Sequence, residues 1–309
     1  MIETIHLSKS YGKLHALVDL QLRIEQGKVF GFIGPNGAGK STTMMILATL
    51  LEPTEGEAYV SGYDVRKEPA AVRQSLGYMP DFFGVYDNLT AVEYLDFYAG
   101  AYKIPSSRRK SLIADLLELV NLSDKAESYV DSLSRGMQQR LSLARCLIHD
   151  PQVLILDEPA SGLDPRARIE LREILKQLRG MKKTILISSH ILPELAELCD
   201  EIGIIEKGRL IACGDIDEVS VRASGVTLMM VRTLSNHHRA AVLLSENLYV
   251  EDLEEQMDGF RFRFIGTDEE KAALLRDLIG AGVAVSYFGE SSENLEAVFL
   301  AITEGVAKL

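Results

Sequence analysis

The feature that most constrains this chain is a change of pattern between residues 28 and 51. The run KVFGFIG ends in the glycine-rich turn GPNGAGKST, and MMILATLL then follows with helical spacing. An apolar strand, a tight loop and a helix in that order build parallel α/β layers, in which strands are covered on both faces. VLILD at Val153–Asp157 and TILIS at Thr184–Ser188 are further continuous apolar runs of strand length, so a mostly parallel central sheet is expected. The loop itself (Gly34, Pro35, Asn36, Gly37, Ala38, Gly39, Lys40, Ser41, Thr42) fits GxxxxGK[ST] in the strand-to-helix setting that a phosphate cradle requires. Gly37 and Gly39 let backbone N–H groups approach phosphate, and the helix offers its positive end. Lys40 supplies a charge for the β and γ phosphates, and Ser41 a hydroxyl for magnesium. Lys40 is expected to be an exposed loop charge.

VLILDEP adds two carboxylates at the carboxyl end of an apolar strand, the edge where open parallel sheets bind ligands. Asp157 is placed to hold magnesium through water, and Glu158 to act as general base for an attacking water near a γ phosphate.

The segments flanking this core extend the reading. ETIHLSKSYGKLHALVDLQLRIEQGK alternates in short pieces broken by Gly12 and Gly27, which predicts antiparallel strands beside the loop. Residues 90–148 lack a strand pattern and are expected to form a helical subdomain. EIGIIEKGRLIACG predicts a hairpin turning at Lys207-Gly208, and the polar stretch near residues 215–225 marks a boundary between domains 1–215 and 216–309. The remainder, VTLMMVR, a helix around Arg239–Leu244, GFRFRFIG, DEEKAALLRDLIGAG, VAVSYFG and a final helix SENLEAVFLAIT, suggests a small ferredoxin-like α/β domain with an accessory or regulatory role.

Composition narrows the function classes. The 309 residues suit one large and one smaller domain, and 47% hydrophobic with 25% charged residues allow a sizeable buried core. A formal net charge of −12 disfavours nucleic acid as a partner, because phosphate contacts need clustered positive charge. No apolar run reaches the ~18 residues that span a bilayer, so any membrane role is expected to come through a partner. Cys146, Cys199 and Cys213 have no metal-ligand spacing and are expected to be small apolar fillers in a reducing compartment. His237-His238 lacks partner ligands and is expected to cap a helix or face solvent.

Four further segments stand in a fixed order: Tyr11, then LSRGMQQR at Leu133–Arg140, SGLDP at Ser161–Pro165, and SSH at Ser188–His190. With the loop and VLILDEP they closely resemble the ABC-type ATPases over about residues 1–215, a resemblance that implies a P-loop α/β core with a helical subdomain. It further implies an enzyme that binds ATP and Mg2+, hydrolyses the nucleotide and works as a pair of ATPase subunits. Ser134 and Gly136 would contact the γ phosphate held by the other chain, and Asp164 would face the partner's loop. His190 would bond the γ phosphate and the attacking water, and Tyr11 would stack on adenine. The variants LSRGM and GYMPD, with one nucleotide-binding unit and an appended domain, look most like bacterial type-2 exporter ATPases for drugs, lipids or polysaccharides. Such a subunit drives a separate membrane permease from the cytoplasmic face of the cell membrane. The alternative is a soluble non-transport ABC ATPase, such as a cluster-assembly or regulatory factor, which membrane association would separate from the exporter.

The sequence departs from the common pattern at Arg135 and Met137 in the LSRGM segment, while Ser134 and Gly136 remain. Asp81 in GYMPDFFGVYDNLT stands where most relatives have a glutamine that touches magnesium, which makes it a third candidate metal ligand beside Ser41 and Asp157. The aromatic loop at Phe82, Phe83, Val85 and Tyr86 reads as a contact surface, in the region where the family receives a short helix of the membrane subunit.

Overall fold

A computed structural model describes residues 1–81, 84, 88–190, 195, 198–215, 219 and 227–290. The chain divides into two compact units, Met1–Ile216 and Asp217–Leu309. The aromatic residues at 82, 83, 85 and 86 and the helix expected over SENLEAVFLAIT lie outside the described residues.

In the first unit, β1 (Ile2–Tyr11) and β2 (Leu14–Ile24) form an antiparallel pair that continues through β4 (Glu55–Val60) and β5 (Tyr63–Asp64). The second sheet has the order β10-β9-β3-β8-β7-β6. Its members are β3 (Val29–Ile33), β6 (Leu76–Met79), β7 (Val153–Leu156), β8 (Thr184–Ser189), β9 (Glu201–Glu206) and β10 (Arg209–Gly214). Every pair in it is parallel except the β9–β10 hairpin. The apolar runs of β3, β7 and β8 are buried at every position, as strands covered on both faces require. Helix α1 (Lys40–Leu47) lies between the two sheets. Its Met44, Ile46 and Leu47 share one core with Leu20 and Leu22 of β2, Phe30 and Phe32 of β3, and Val153, Ile155 and Leu186. Helix α2 is Pro69–Ser75.

The helical segment comprises α3 (Ala91–Ala101), α4 (Ser106–Leu119) and α5 (Arg135–Leu147). Thr90 and Glu93 close a reciprocal capping box on α3, and Ser134 caps α5 by accepting the Met137 N–H. Helix α6 (Pro165–Gly180) starts with the Asp164 carboxylate accepting the Ala167 N–H and a proline at its first position. Arg140 of α5 is buried. It donates to the carbonyls of Val120 and Asn121 at the end of α4 and pairs with Glu170 of α6 at 3.2 Å, so the three helices share one cation.

The second unit runs β11 (Thr227–Ser235), α7 (His237–Glu246), β12 (Val250–Gln256), β13 (Gly259–Phe264), α8 (Asp268–Gly280) and β14 (Ala284–Glu290). Its antiparallel order β12-β13-β11-β14 is the ferredoxin-like arrangement. Phe260, Phe262 and Phe264 point from β13 to a core with Ala240, Leu244, Leu274 and Leu278 of the helices. Strand β12 is not legible in the sequence, because VEDLEEQ is acidic at four of seven positions. It survives as an edge strand because Glu251 and Glu254 lie opposite Arg263 and Arg261, and Arg263 also bonds Asp252 at 3.0 Å. Two expectations need correction. Cys213 is exposed, because β10 is an edge strand with none of its residues fully buried. His237 neither caps nor simply faces solvent: its ring stacks on Phe260 and bonds Thr233 Oγ1 at 2.8 Å.

The two units have separate cores, so a core deletion in one should spare the other. Phe262→Ala removes a ring with no exposed surface, which should cost the second unit about 3–5 kcal/mol. Calorimetry should show only the transition of that unit moving down. A shift of both transitions together would contradict separate cores.

Candidate functional site

The carboxyl ends of β3, β7 and β8 converge. Gly34 N–H donates to Ser189 O, and Asp157 N–H to Met79 O at the end of β6, so four strand ends meet in one place. The glycine-rich loop is held from the hairpin side as well: Gly208 N–H donates to Ala38 O, and Val18 N–H to Gly208 O.

Lys40 is buried, with 5% of its surface exposed, and this corrects the expectation of an exposed loop charge. Its Nζ donates to Gly34 O and Pro35 O and lies 3.3 Å from Glu158 Oε1. An ammonium withdrawn from water needs such acceptors, and here the loop curls around its own lysine to supply them. Asn36 and Gly37 are exposed at the tip. Ser41 is exposed and Thr42 half-buried on the first turn of α1.

Asp157 is buried, and its Oδ1 accepts from Ser188 Oγ at 2.7 Å. The same hydroxyl oxygen accepts the Glu158 N–H at 2.8 Å, so Ser188 orients both acidic residues. Sequence alone gives Ser188 no separate role; the available signal is a small polar residue closing the apolar run of β8. Glu158 has φ +47, a left-handed conformation that an L-residue adopts at an energetic cost. Its Oε2 is 2.8 Å from His190 Nδ1, while its buried Oε1 has no hydrogen bond. Lys40, Asp157, Ser188, Glu158 and His190 thus form one contiguous group. Asp81 is within electrostatic reach of Asp157, Glu158 and His190.

Ser134, Gly136 and Asp164 form a second group at the adjacent starts of α5 and α6. Among the described residues no hydrogen bond or ion pair joins these three to the phosphate loop. Tyr11 ends β1 with 47% of its surface exposed, and Lys9 Nζ lies 5.2 Å from its ring centre.

Residues 17–161, from β2 to the loop after β7, match the family model for the ABC transporter. The linearmycin resistance ATP-binding protein LnrL of Bacillus subtilis is 31% identical over 305 residues, covering 98% of this chain and 98% of that protein. The bacitracin transport ATP-binding protein BcrA of Bacillus licheniformis is 34% identical over 306 residues, covering 99% and 98%. This chain belongs to the ABC transporter ATP-binding proteins. Among solved structures, the dimeric post-hydrolysis state of an ATP-binding cassette bound to ADP and Pi is similar with a TM-score of 0.65 and 26% identity, over 70% of this chain and 99% of that one. As an ABC protein the chain binds and hydrolyses ATP, and the α/β core with helical segment is the cassette fold.

Asp81 is exposed, yet partial desolvation of its carboxyl first, and then Asp157 and Glu158, push its pKa above the usual aspartate value, against the opposing pull of Arg135 and His190; solvent screening keeps the effect small. A raised pKa means that the folded chain holds this proton more tightly than the unfolded one. The ionised carboxylate therefore lowers stability above that range, and the penalty disappears below the ordinary value of about 3.9. Asp81→Asn in metal-free protein should raise Tm near pH ~8, with the gain shrinking towards zero as pH approaches ~4. No gain near pH ~8, or a gain independent of pH, would contradict the crowded-carboxylate arrangement.

Proposed function

We propose that this chain is the motor subunit of an exporter and works as a pair, enclosing each ATP between the phosphate loop of one copy and the starts of α5 and α6 of the other. The observation that carries this reading is the division of the site residues into two groups. One is a phosphate cradle with acid, base and lysine. The other offers the Ser134 hydroxyl and helix N-terminal donors, and among the described residues no hydrogen bond or ion pair joins it to the phosphate loop. The dimeric cassette with ADP and Pi supports the pairing, and the resistance and bacitracin-transport names of relatives similar over the full chain support export.

Within the cradle, Gly34–Thr42 would receive the phosphates, with Lys40 exchanging its carbonyl partners for phosphate oxygens. Glu158 Oε1, paired with Lys40 at 3.3 Å, would take the proton of an attacking water once Lys40 turns to phosphate, while His190 holds the carboxylate through Oε2 and would reach the γ phosphate. Tyr11 offers an exposed ring for adenine. The Ser41 hydroxyl and the carboxylates of Asp157 and Asp81 make an all-oxygen donor set, which fits Mg2+. Held by those residues, the ion would supply positive charge that offsets the charge developing on the phosphates.

Among the described residues no helix is long and apolar enough to cross a membrane, so coupling to transport would run through a separate permease. A groove of about 430 Å³ lined by Met45, Leu50, Tyr78, Tyr98, Tyr102 and Arg145 is the surface that suits a short permease helix. Through that contact the chain would lie on the inner face of the cell membrane. The second unit would serve an accessory or regulatory role, since it carries none of the site residues.

Glu158→Gln keeps the shape and removes the base, so hydrolysis should fall ~10²–10⁴-fold. With ATP and magnesium the uncleaved nucleotide should hold two chains together in light scattering. A monomer under saturating ATP would contradict the paired site.

A further inference from the structure

Arg135 is the first residue of α5, it is exposed, and among the described residues it forms no ion pair. Its guanidinium instead lies close against Gly162 in the loop before α6. A Cβ built on Gly162 would fall 2.4, 2.5 and 2.9 Å from Nη1, Cζ and Nη2 of Arg135, so any side chain at 162 would displace it. Gly162 also has φ +67, the left-handed region that glycine enters without strain. The neighbouring residue makes a second close contact: a Cβ on Gly136 would meet Ala167 Cβ of α6 at 2.8 Å. From beneath, Arg168 Nε donates to Leu163 O at 3.1 Å, and Asp164 is fixed as the cap of α6. The starts of α5 and α6 are therefore joined at two points, of which Arg135 on Gly162 is the one made by a cation.

We propose that Arg135 is a positioning residue: its guanidinium holds the 161–164 loop against the first turn of α5, so that Ser134 and Asp164 are presented together to the nucleotide of a second chain. This rests on the paired-site reading. A planar guanidinium suits the task, because it is broad, rigid and more weakly hydrated than an ammonium, so it can pack against a glycine backbone where a lysine would not.

The test uses the full-length chain in the Glu158→Gln background with ATP and magnesium. Sedimentation gives the dimer dissociation constant, and equilibrium dialysis at low protein concentration gives ATP affinity. Arg135→Met should raise the dimer dissociation constant about tenfold while leaving ATP affinity of the dilute chain within about twofold. Arg135→Lys, with charge but no plane, should fall between, and Gly162→Ala should act in the same direction as Arg135→Met by pushing the guanidinium away. Arg135 is exposed, so a fold defect is not expected, and Arg135→Lys is the milder change should one arise. Pairing of Arg135→Met equal to that of Glu158→Gln alone would overturn the inference, as would an equal loss in ATP affinity of the dilute chain. A Glu158→Gln chain that stays monomeric with ATP would overturn the paired site and this inference with it.

Discussion

A buried lysine beside a glutamate organises the first unit. Lys40 is almost wholly withdrawn from water, and Glu158 Oε1 lies 3.3 Å from its ammonium. Such a cation is tolerable only where carbonyls and a carboxylate converge on it, since breaking one partner of a buried pair typically costs about 3–5 kcal/mol. The parallel sheet supplies the convergence. Strand β3 delivers the loop, β7 delivers Asp157 and Glu158, and β8 delivers Ser188 and His190, all at their carboxyl ends. The same contact suggests the course of the chemistry, because phosphate oxygens can replace carbonyl partners of Lys40 and leave Glu158 free to polarise water.

Strain and support are distributed around that contact. Glu158 holds a left-handed conformation and is held there by its N–H on Ser188, its carbonyl accepting the Ser161 N–H, and its side chain on His190. Residues kept in unfavourable conformations by their surroundings concentrate at functional sites. The second group is built differently, from helix starts capped by Ser134 and Asp164 and pressed together through Gly136 and Gly162. In the proposed pair the phosphate loop of one copy would be the cradle and these helix starts of the other the lid, so that a symmetric dimer completes two sites.

Much of this was legible in the sequence where one physical signal dominated. Fully apolar runs identified β3, β7 and β8, the glycine pattern located the loop, and the order βαββαβ of the second unit followed from alternating patterns apart from β12. What the sequence hid was set by tertiary partners. The acidic β12 needs the arginines of β13 opposite it, Lys40 is buried because its own loop folds over it, and Ser188 gains its role only when β7 and β8 lie side by side. Neither Arg135 on Gly162 nor Gly136 on Ala167 could be read from spacing, since each contact joins segments about thirty residues apart in sequence.

The central claim, that each ATP site is shared between two copies, is tested most directly by mixing two inactive variants. Lys40→Met keeps the buried stem but removes the phosphate charge, and Ser134→Arg obstructs the lid. Each variant alone carries the same defect in both of its sites. In a mixed pair one site combines both defects and the other combines an intact cradle with an intact lid. The account predicts ATP hydrolysis by the mixture well above the sum of the two variants measured separately. Activity equal to that sum, with mixed pairs shown to form, would contradict a site built from two chains.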